Sequence, residues 1–211
     1  MIVAGESLIL LPERAALWRE TLLVADPHFG KAATFRALGV PVPHGTTGEN
    51  LARLDEILNR TAARRIVFLG DFLHAPEGRA PRTLDAVSEW RARHASVEML
   101  LVRGNHDVRA GDPPKEFDMR CVSAPHEELP FVLDHHPREH DAGYVLAGHL
   151  HPGARLAGAG RARAWLPCFW FGTRVGVLPA FGEFTGLGEI SPAPGDRVFV
   201  VADDEVVEVR H

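Results

Sequence analysis

Short apolar runs alternate with polar loops along the chain. Ser7–Leu11 (SLILL) and Thr21–Ala25 (TLLVA) read as strands, joined by a loop that carries Pro12. Ile66–Leu69, Val97–Val102, Phe131–Asp134 and Tyr144–Ala147 follow, each rich in Val, Ile, Leu or aromatics and bounded by Gly, Pro, Asp or His. That pattern predicts buried central strands, not surface helices. Between them lie two helix predictions. Thr46–Arg60 opens on Thr46-Thr47-Gly48-Glu49, a Thr with Glu three residues on, and so predicts a capping box. Leu51, Leu54, Ile57 and Leu58 then share one face. Pro81–His94 starts with Pro in its first turn and carries Leu84, Val87 and Trp90 at helical spacing. Strand–helix–strand alternation argues an α/β fold.

The tail changes character. Ala164–Phe171 and Arg174–Pro179 flank Gly172-Thr173, and Arg197–Val201 and Glu205–Val209 flank Ala202-Asp203-Asp204. Both read as hairpins, so the C-terminal third is expected to be antiparallel β. Gly153–Ala162 reads as a loop.

Composition narrows the class. The 211 residues, 45% hydrophobic and 24% charged, are those of a globular chain, read as a single domain over 1–211. A net charge of −5 argues against a broad basic nucleic-acid surface, though not against a local groove. No apolar run is long enough to span a membrane and no signal peptide is read at the N-terminus. Cys121 and Cys168 do not make a disulfide framework, and reduced thiols in a cytoplasmic protein are the simplest expectation. Twelve histidines against one tyrosine make the placement of His the main question.

Five polar clusters directly follow the predicted strands: Asp26-Pro27-His28, Gly70-Asp71, Gly104-Asn105-His106-Asp107, His135-His136-Pro137 and Gly148-His149-Leu150-His151. Strand C-terminal ends are where ligands bind in α/β sheets. Taken singly, each cluster is an ordinary turn; together they supply Asp, Asn and His, the donors of a dinuclear metal site. Two cations about 3.5–4 Å apart want a bridging carboxylate, and a water between them becomes a hydroxide nucleophile near neutral pH. Mixed imidazole and carboxylate ligands suit Mn, Fe or Zn.

In that order, these motifs resemble the calcineurin-like metallophosphoesterase superfamily from about Leu22 to Pro152. The resemblance implies a two-sheet β-sandwich flanked by helices, with the metal site at strand C-terminal ends. It implies that Asp26, His28, Asp71 and His151 hold one metal, and that Asp71, Asn105, His135 and His149 hold the other, with Asp71 bridging. His106 and Asp107 are then the candidate catalytic residues: His106 over the phosphate, Asp107 orienting it. His136 stays an alternative to His135, because neighbours on an extended strand face opposite ways. The superfamily's second motif usually reads Gly-Asp-x-x-Asp; here the last position is His74, as outer support or substrate contact.

The flanks narrow the resemblance. Asp26-Pro27-His28-Phe29-Gly30-Lys31, Phe35-Arg36-x-x-Gly39-Val40-Pro41-Val42-Pro43 and Leu178-Pro179-Ala180-Phe181-Gly182-Glu183-Phe184-Thr185-Gly186 resemble the DNA ligase-associated metallophosphoesterases, the PdeM family, with Leu187 where a glycine is usual. This implies a bacterial cytoplasmic phosphodiesterase or endonuclease with Mn foremost, or Fe, Zn or a mixed pair. It also implies DNA or another phosphodiester as substrate, and association with DNA ligase and helicase repair proteins. The alternatives are a phosphomonoesterase, a small-nucleotide phosphodiesterase, and a non-catalytic scaffold of this fold. A scaffold would be expected to lose ligands or His106, which this chain retains.

Other polar and aromatic positions divide between bland and functional readings. Lys31 and Arg36 suit either a phosphate contact or a solvated face. Arg79, Arg82, Arg91, Arg93, Arg103 and Arg109, interleaved with acids, predict a salt-bridged surface more than a DNA groove. Trp165, Phe169, Trp170 and Phe171 could stack bases, but alternation favours β core for most of them. His44, His94, His126 and His211 read as surface or loop, as do His140 and Asp141.

Overall fold

The computed structural model describes residues 1–42, 45–157 and 163–209. One sheet runs in chain order: β1 (Ile2–Val3), β2 (Glu6–Leu11), β3 (Ala15–Trp18), β4 (Thr21–Val24), β5 (Arg65–Phe68), β6 (Glu98–Val102) and β7 (Arg120–Val122). Neighbours are antiparallel up to β4 and parallel from β4 to β7. The second sheet uses β8 (His126–Glu128), β9 (Phe131–Leu133), β10 (Tyr144–Ala147), β11 (Pro152–Ala157), β12 (Arg163–Phe171), β13 (Val175–Val177), β14 (Gly188–Glu189), β15 (Arg197–Ala202) and β16 (Glu205–Val209). Its order is β14-β11-β12-β13-β10-β9-β8, with β15 between β12 and β16. Helices α1 (Lys31–Ala37), α2 (Thr46–Arg60), α3 (Pro81–Arg93) and α4 (Asn105–Ala110) complete the order.

Strand alternation explains the layers. Leu22, Val24, Ile66, Phe68, Met99 and Leu101 face outward, where Leu51, Leu54 and Ile57 of α2 and Val87 and Trp90 of α3 cover them. The intervening Leu23, Val67 and Leu100 face inward and meet Phe131, Leu133, Leu146, Phe169 and Phe171 of the second sheet. Central strands buried on both faces read as unbroken apolar runs, which is why they stand out in the sequence. The two-sheet sandwich with flanking helices is the fold that the superfamily resemblance implies.

Several local expectations are corrected. The stretch after Pro12 is not all loop: Ala15–Trp18 forms β3, turned back on β2 at Arg14, whose φ is +64°. No capping box starts α2; its N-cap is Gly45 at φ +107°, and Thr46 is a buried first-turn residue. Gly45 supplies a left-handed entry that a Thr would adopt only at a cost. The Gly-Ala-Arg stretch is β strand over Pro152–Ala157, paired with β12; residues 158–162 lie outside the described residues, as do His44 and His211. Gly104-Asn105-His106-Asp107 is the start of α4 and not a free loop. The tail is antiparallel except where β13 joins β10 and β14 joins β11. Phe169 and Phe171 are core, whereas Trp165 lies 42% exposed beneath the Arg155 guanidinium. Among the described residues no helix is long and apolar enough to cross a membrane.

Candidate metal centre

The C-terminal ends of β4, β5, β6, β9 and β10 point to one place, so the five clusters meet although 125 residues separate Asp26 from His151. The backbone turns sharply there. Asp26 (φ +51°), His28 (+45°), Asp71 (+54°), His149 (+70°) and His151 (+47°) all occupy the left-handed region. Non-glycine residues hold that conformation at a cost of about 1–3 kcal/mol each, and only where the surroundings enforce it. Here the loops brace one another: His28 N–H donates to Asp71 O (3.0 Å), Phe29 N–H to Phe72 O (2.8 Å) and Gly182 N–H to Asp26 O (3.1 Å). Gly148 and Gly104 allow close approach; a Cβ would fall 2.4 Å from Asp26 Oδ2 and 2.3 Å from Asp71 Oδ1 respectively.

Each inner carboxylate divides its oxygens. Asp26 Oδ2 accepts from His149 N–H (2.8 Å), and Asp71 Oδ1 accepts from His106 N–H (2.9 Å). Their other oxygens turn inward. Asp26 Oδ1 is buried with no hydrogen-bond partner, 3.6 Å from His151 Nε2 and 3.7 Å from His135 Nδ1. Asp71 Oδ2 lies 3.4 Å from His135 Nε2 and 3.9 Å from both His28 Nε2 and His106 Nε2. His28 Nε2 faces His151 Nε2 at 3.3 Å; His135 Nε2 faces Asn105 Oδ1 and His149 Nδ1, each at 3.0 Å. Donors about 3–3.5 Å apart form the edges of a coordination shell with bonds near 2.1 Å. Two trios in particular could each hold a cation: Asp26, His28 and His151, and Asp26, Asp71 and His135. His135 is fully buried and reaches Asn105 and Asp71; His136 is half-buried with its ring against His149, centroids 4.4 Å apart.

Asp107 does not orient His106. Its Oδ2 accepts from Asp71 N–H (2.7 Å) and Gly104 N–H (2.8 Å), and its Oδ1 from Phe72 N–H (2.9 Å) and Leu73 N–H (3.3 Å). As the third residue of α4 it turns back over its own helix start and takes in the Asp71 loop as well, so geometry leaves none of it for the histidine beside it. His106 is held instead by the backbone carbonyl of His74, which accepts from its Nδ1–H.

Burial sets the electrostatics. It pushes His28 far below the usual imidazole range, with Lys31, His151, His74 and His106 adding to the effect. It takes His74 down to about 4 and lowers His136 and His149. Such imidazoles stay neutral and present lone pairs. Burial also raises Asp71, opposed by His135, and lifts Asp107 to about 6, opposed by the N–H groups of Gly104, Leu73 and Asp71. Lys31 is half-buried and lowered by burial, while Asp26 and Asp71 pull it back up.

The other sequence candidates separate cleanly. His74 joins the cluster, its Nδ1 3.3 Å from His28 Nδ1. Arg36 turns to Val42 O (3.4 Å). Arg79, Arg91, Arg93 and Arg103 are engaged with backbone carbonyls or with Asp55, Asp112 and Asp118, as a structural surface would have them. His94 bonds Asp55, His126 pairs with Glu128, and neither His140 nor Asp141 reaches the cluster's metal-holding groups. One residue with no sequence signal, Arg53, also shapes the centre. Arg53 of α2 donates to Glu183 (2.7 Å) and to Phe181 O, pinning the 180–188 loop. That loop then supplies Gly186 O, 3.3 Å from His151 Nδ1.

A scan against protein-family models and a search of curated proteins found no match. Among solved structures the chain is similar to the nuclease MPE of Pseudomonas putida, with 44% identity over 99% of this chain and 98% of that one, at a TM-score of 0.87. The chain belongs to the metallophosphoesterase family of that nuclease. The phosphoesterase Yfce of E. coli matches at 16% identity over 90% of this chain and 97% of that one, with a TM-score of 0.44, and nothing further rests on it. The donor set of this metallophosphoesterase fits the divalent metals its family implies. Asp26 Oδ1, a buried carboxylate oxygen without a hydrogen-bond partner that faces ring nitrogens of His151 and His135, is an unfavourable arrangement that a cation resolves.

Proposed function

We propose that this metallophosphoesterase, acting as one catalytic domain, is a dinuclear phosphodiesterase that cleaves nucleic-acid backbones. The observation that carries it is Asp71 Oδ2 lying within reach of an imidazole from each donor set, 3.9 Å from His28 Nε2 and 3.4 Å from His135 Nε2. A carboxylate so placed would bridge two cations bound there. Asp26, His28, Asp71 and His151 would hold one; Asp71, Asn105, His135 and His149 would hold the other. Bound there, two divalent metals supply electrophilic pull on a phosphoryl group and an acidified water.

The chain's own residues do the rest. The brace between the Asp26, Asp71 and Gly182 segments keeps the donors in place before substrate arrives. Doubly protonated, with Nδ1–H held by the His74 carbonyl, His106 presents Nε2–H to the substrate, where it stabilises charge on phosphorus-bound oxygen, gives that proton to the leaving oxygen and is left neutral with its remaining proton on Nδ1. Lys31 adds a positive charge beside His28 and His74 for a phosphate flanking the one cut. A nuclease relative at 44% identity supports diester over monoester. The finer reading takes Mn as the working metal, DNA as the substrate and a cytoplasmic repair role beside DNA ligase and helicase. It is supported by the flanking motifs around Lys31 and Gly182.

The test is hydrolysis of bis-p-nitrophenyl phosphate against p-nitrophenyl phosphate by metal-stripped protein with Mn restored. Preference for the diester, lost in His106→Ala, is expected. Preference for the monoester would make the protein a phosphatase, and inactivity on both with two metals bound would turn the reading toward a scaffold.

A further inference from the structure

We infer that His74 is a positioning residue that sets the tautomers of two functional histidines, His28 through its ring and His106 through its backbone carbonyl. The inference rests on the reading of His28 as a metal ligand. An imidazole that gives one lone pair to a cation carries its proton on the other nitrogen, and that N–H needs an acceptor. The inward nitrogen of His28 is Nε2, 3.3 Å from His151 Nε2. Its Nδ1 lies 3.3 Å from His74 Nδ1, in a buried position. With His28 Nδ1–H donating, His74 Nδ1 is the bare nitrogen and His74 carries its own proton on Nε2.

The His74 carbonyl can only accept, so His106 carries its proton on Nδ1, which leaves Nε2 3.9 Å from Asp71 Oδ2. The two rings also stack, centroids 4.8 Å apart at 21°. His74 is itself fixed, since its N–H donates to Phe29 O (3.1 Å) and Phe35 lies against its ring at 6.1 Å. A carboxylate at this position would accept the same proton from His28. The neutral ring leaves the centre one charge more positive, which favours an anionic substrate.

The experiment uses protein labelled with nitrogen-15 at histidine and loaded with zinc, which is diamagnetic. Long-range proton–nitrogen spectra should find His28 protonated on Nδ1, His74 on Nε2 and His106 on Nδ1. His74→Ala should weaken zinc binding about 10–100-fold in chelator competition. It should leave the His106 tautomer unchanged, because that acceptor is backbone. His74→Asn, whose Oδ1 stands where Nδ1 stood, should restore most of the affinity. A wild-type His74 protonated on Nδ1 overturns the inference, and needs no variant to fold. Wild-type zinc uptake with an unaltered His74→Ala affinity overturns the inference alone. A wild-type protein that takes up no zinc overturns the metal reading and the inference together.

Discussion

At the scale of single residues, the centre depends on side chains that each serve two masters. Asp71 joins a backbone amide of α4 to the space between two imidazole groups. Asp71→Asn should therefore weaken both metal equivalents together, as read by metal content per chain. His106→Ala should keep both metals and lower turnover about 10²–10⁴-fold, the range for losing a proton-transfer group. The histidines make a second prediction. Burial holds His28, His74, His136 and His149 below the ordinary value of 6.5, His74 at about 4. Below pH 6.5 the unfolded chain binds protons that the native state refuses, so folding stability falls as pH drops. Urea midpoints of the metal-free protein should therefore decrease as pH falls from about 7 to 6, and the decrease should flatten below about pH 6, where the raised carboxyls of Asp71 and Asp107 take up protons on folding and act in the opposite sense. Most of these residues were legible in the sequence because they lie in short polar clusters that directly follow apolar runs. The task of Asp107 was not legible. Its carboxylate has four amide donors from two segments, three of them in the 71–73 loop 34 to 36 residues away, and spacing carries no trace of them.

At the scale of elements, Asp107 is the tie between α4 and the loop after β5. In Asp107→Asn an NH2 group must face two backbone N–H donors, whichever way the amide turns. The expected loss is about 1–3 kcal/mol, seen as a lower urea midpoint with an unchanged denaturant slope, together with weaker metal binding. The strongly apolar central strands and the two longer helices were readable from the pattern, and their ends moved by only a residue or two. Other pieces were not. Ala15–Trp18 is as long as β4 or β5, but two of its four residues are alanine, and it becomes a strand because β2 and β4 flank it on both sides. Lys31–Ala37 is a seven-residue helix begun by Gly30, whose absent side chain lets Gly78 approach; a Cβ would lie 2.1 Å from Gly78 O. Local propensity is a weak guide where tertiary partners decide conformation.

At the scale of the whole molecule, the candidate metal centre is a seam. Asp26, Asp71 and Asn105 leave the first sheet, whereas His135 and His149 leave the second. Cations bound across it tie the sheets together, and binding only to the folded chain raises stability by about 2.7 kcal/mol for a ligand at 100 times its Kd. Chelation should accordingly lower the melting temperature, and restored Mn should raise it in proportion to the logarithm of its concentration. A melting temperature indifferent to chelation would mean that the seam holds no metal. The sequence by itself determined the class of fold, the buried strands and which polar residues stand at their C-terminal ends, because burial on both faces and polar residues at strand ends leave one-dimensional patterns. Tertiary structure alone decided which donors face one another, that Asp107 braces a loop and that His74 couples two imidazoles. Those relations are set by left-handed turns and by contacts between distant loops, which depend on how the two sheets come together and not on the order of residues along the chain.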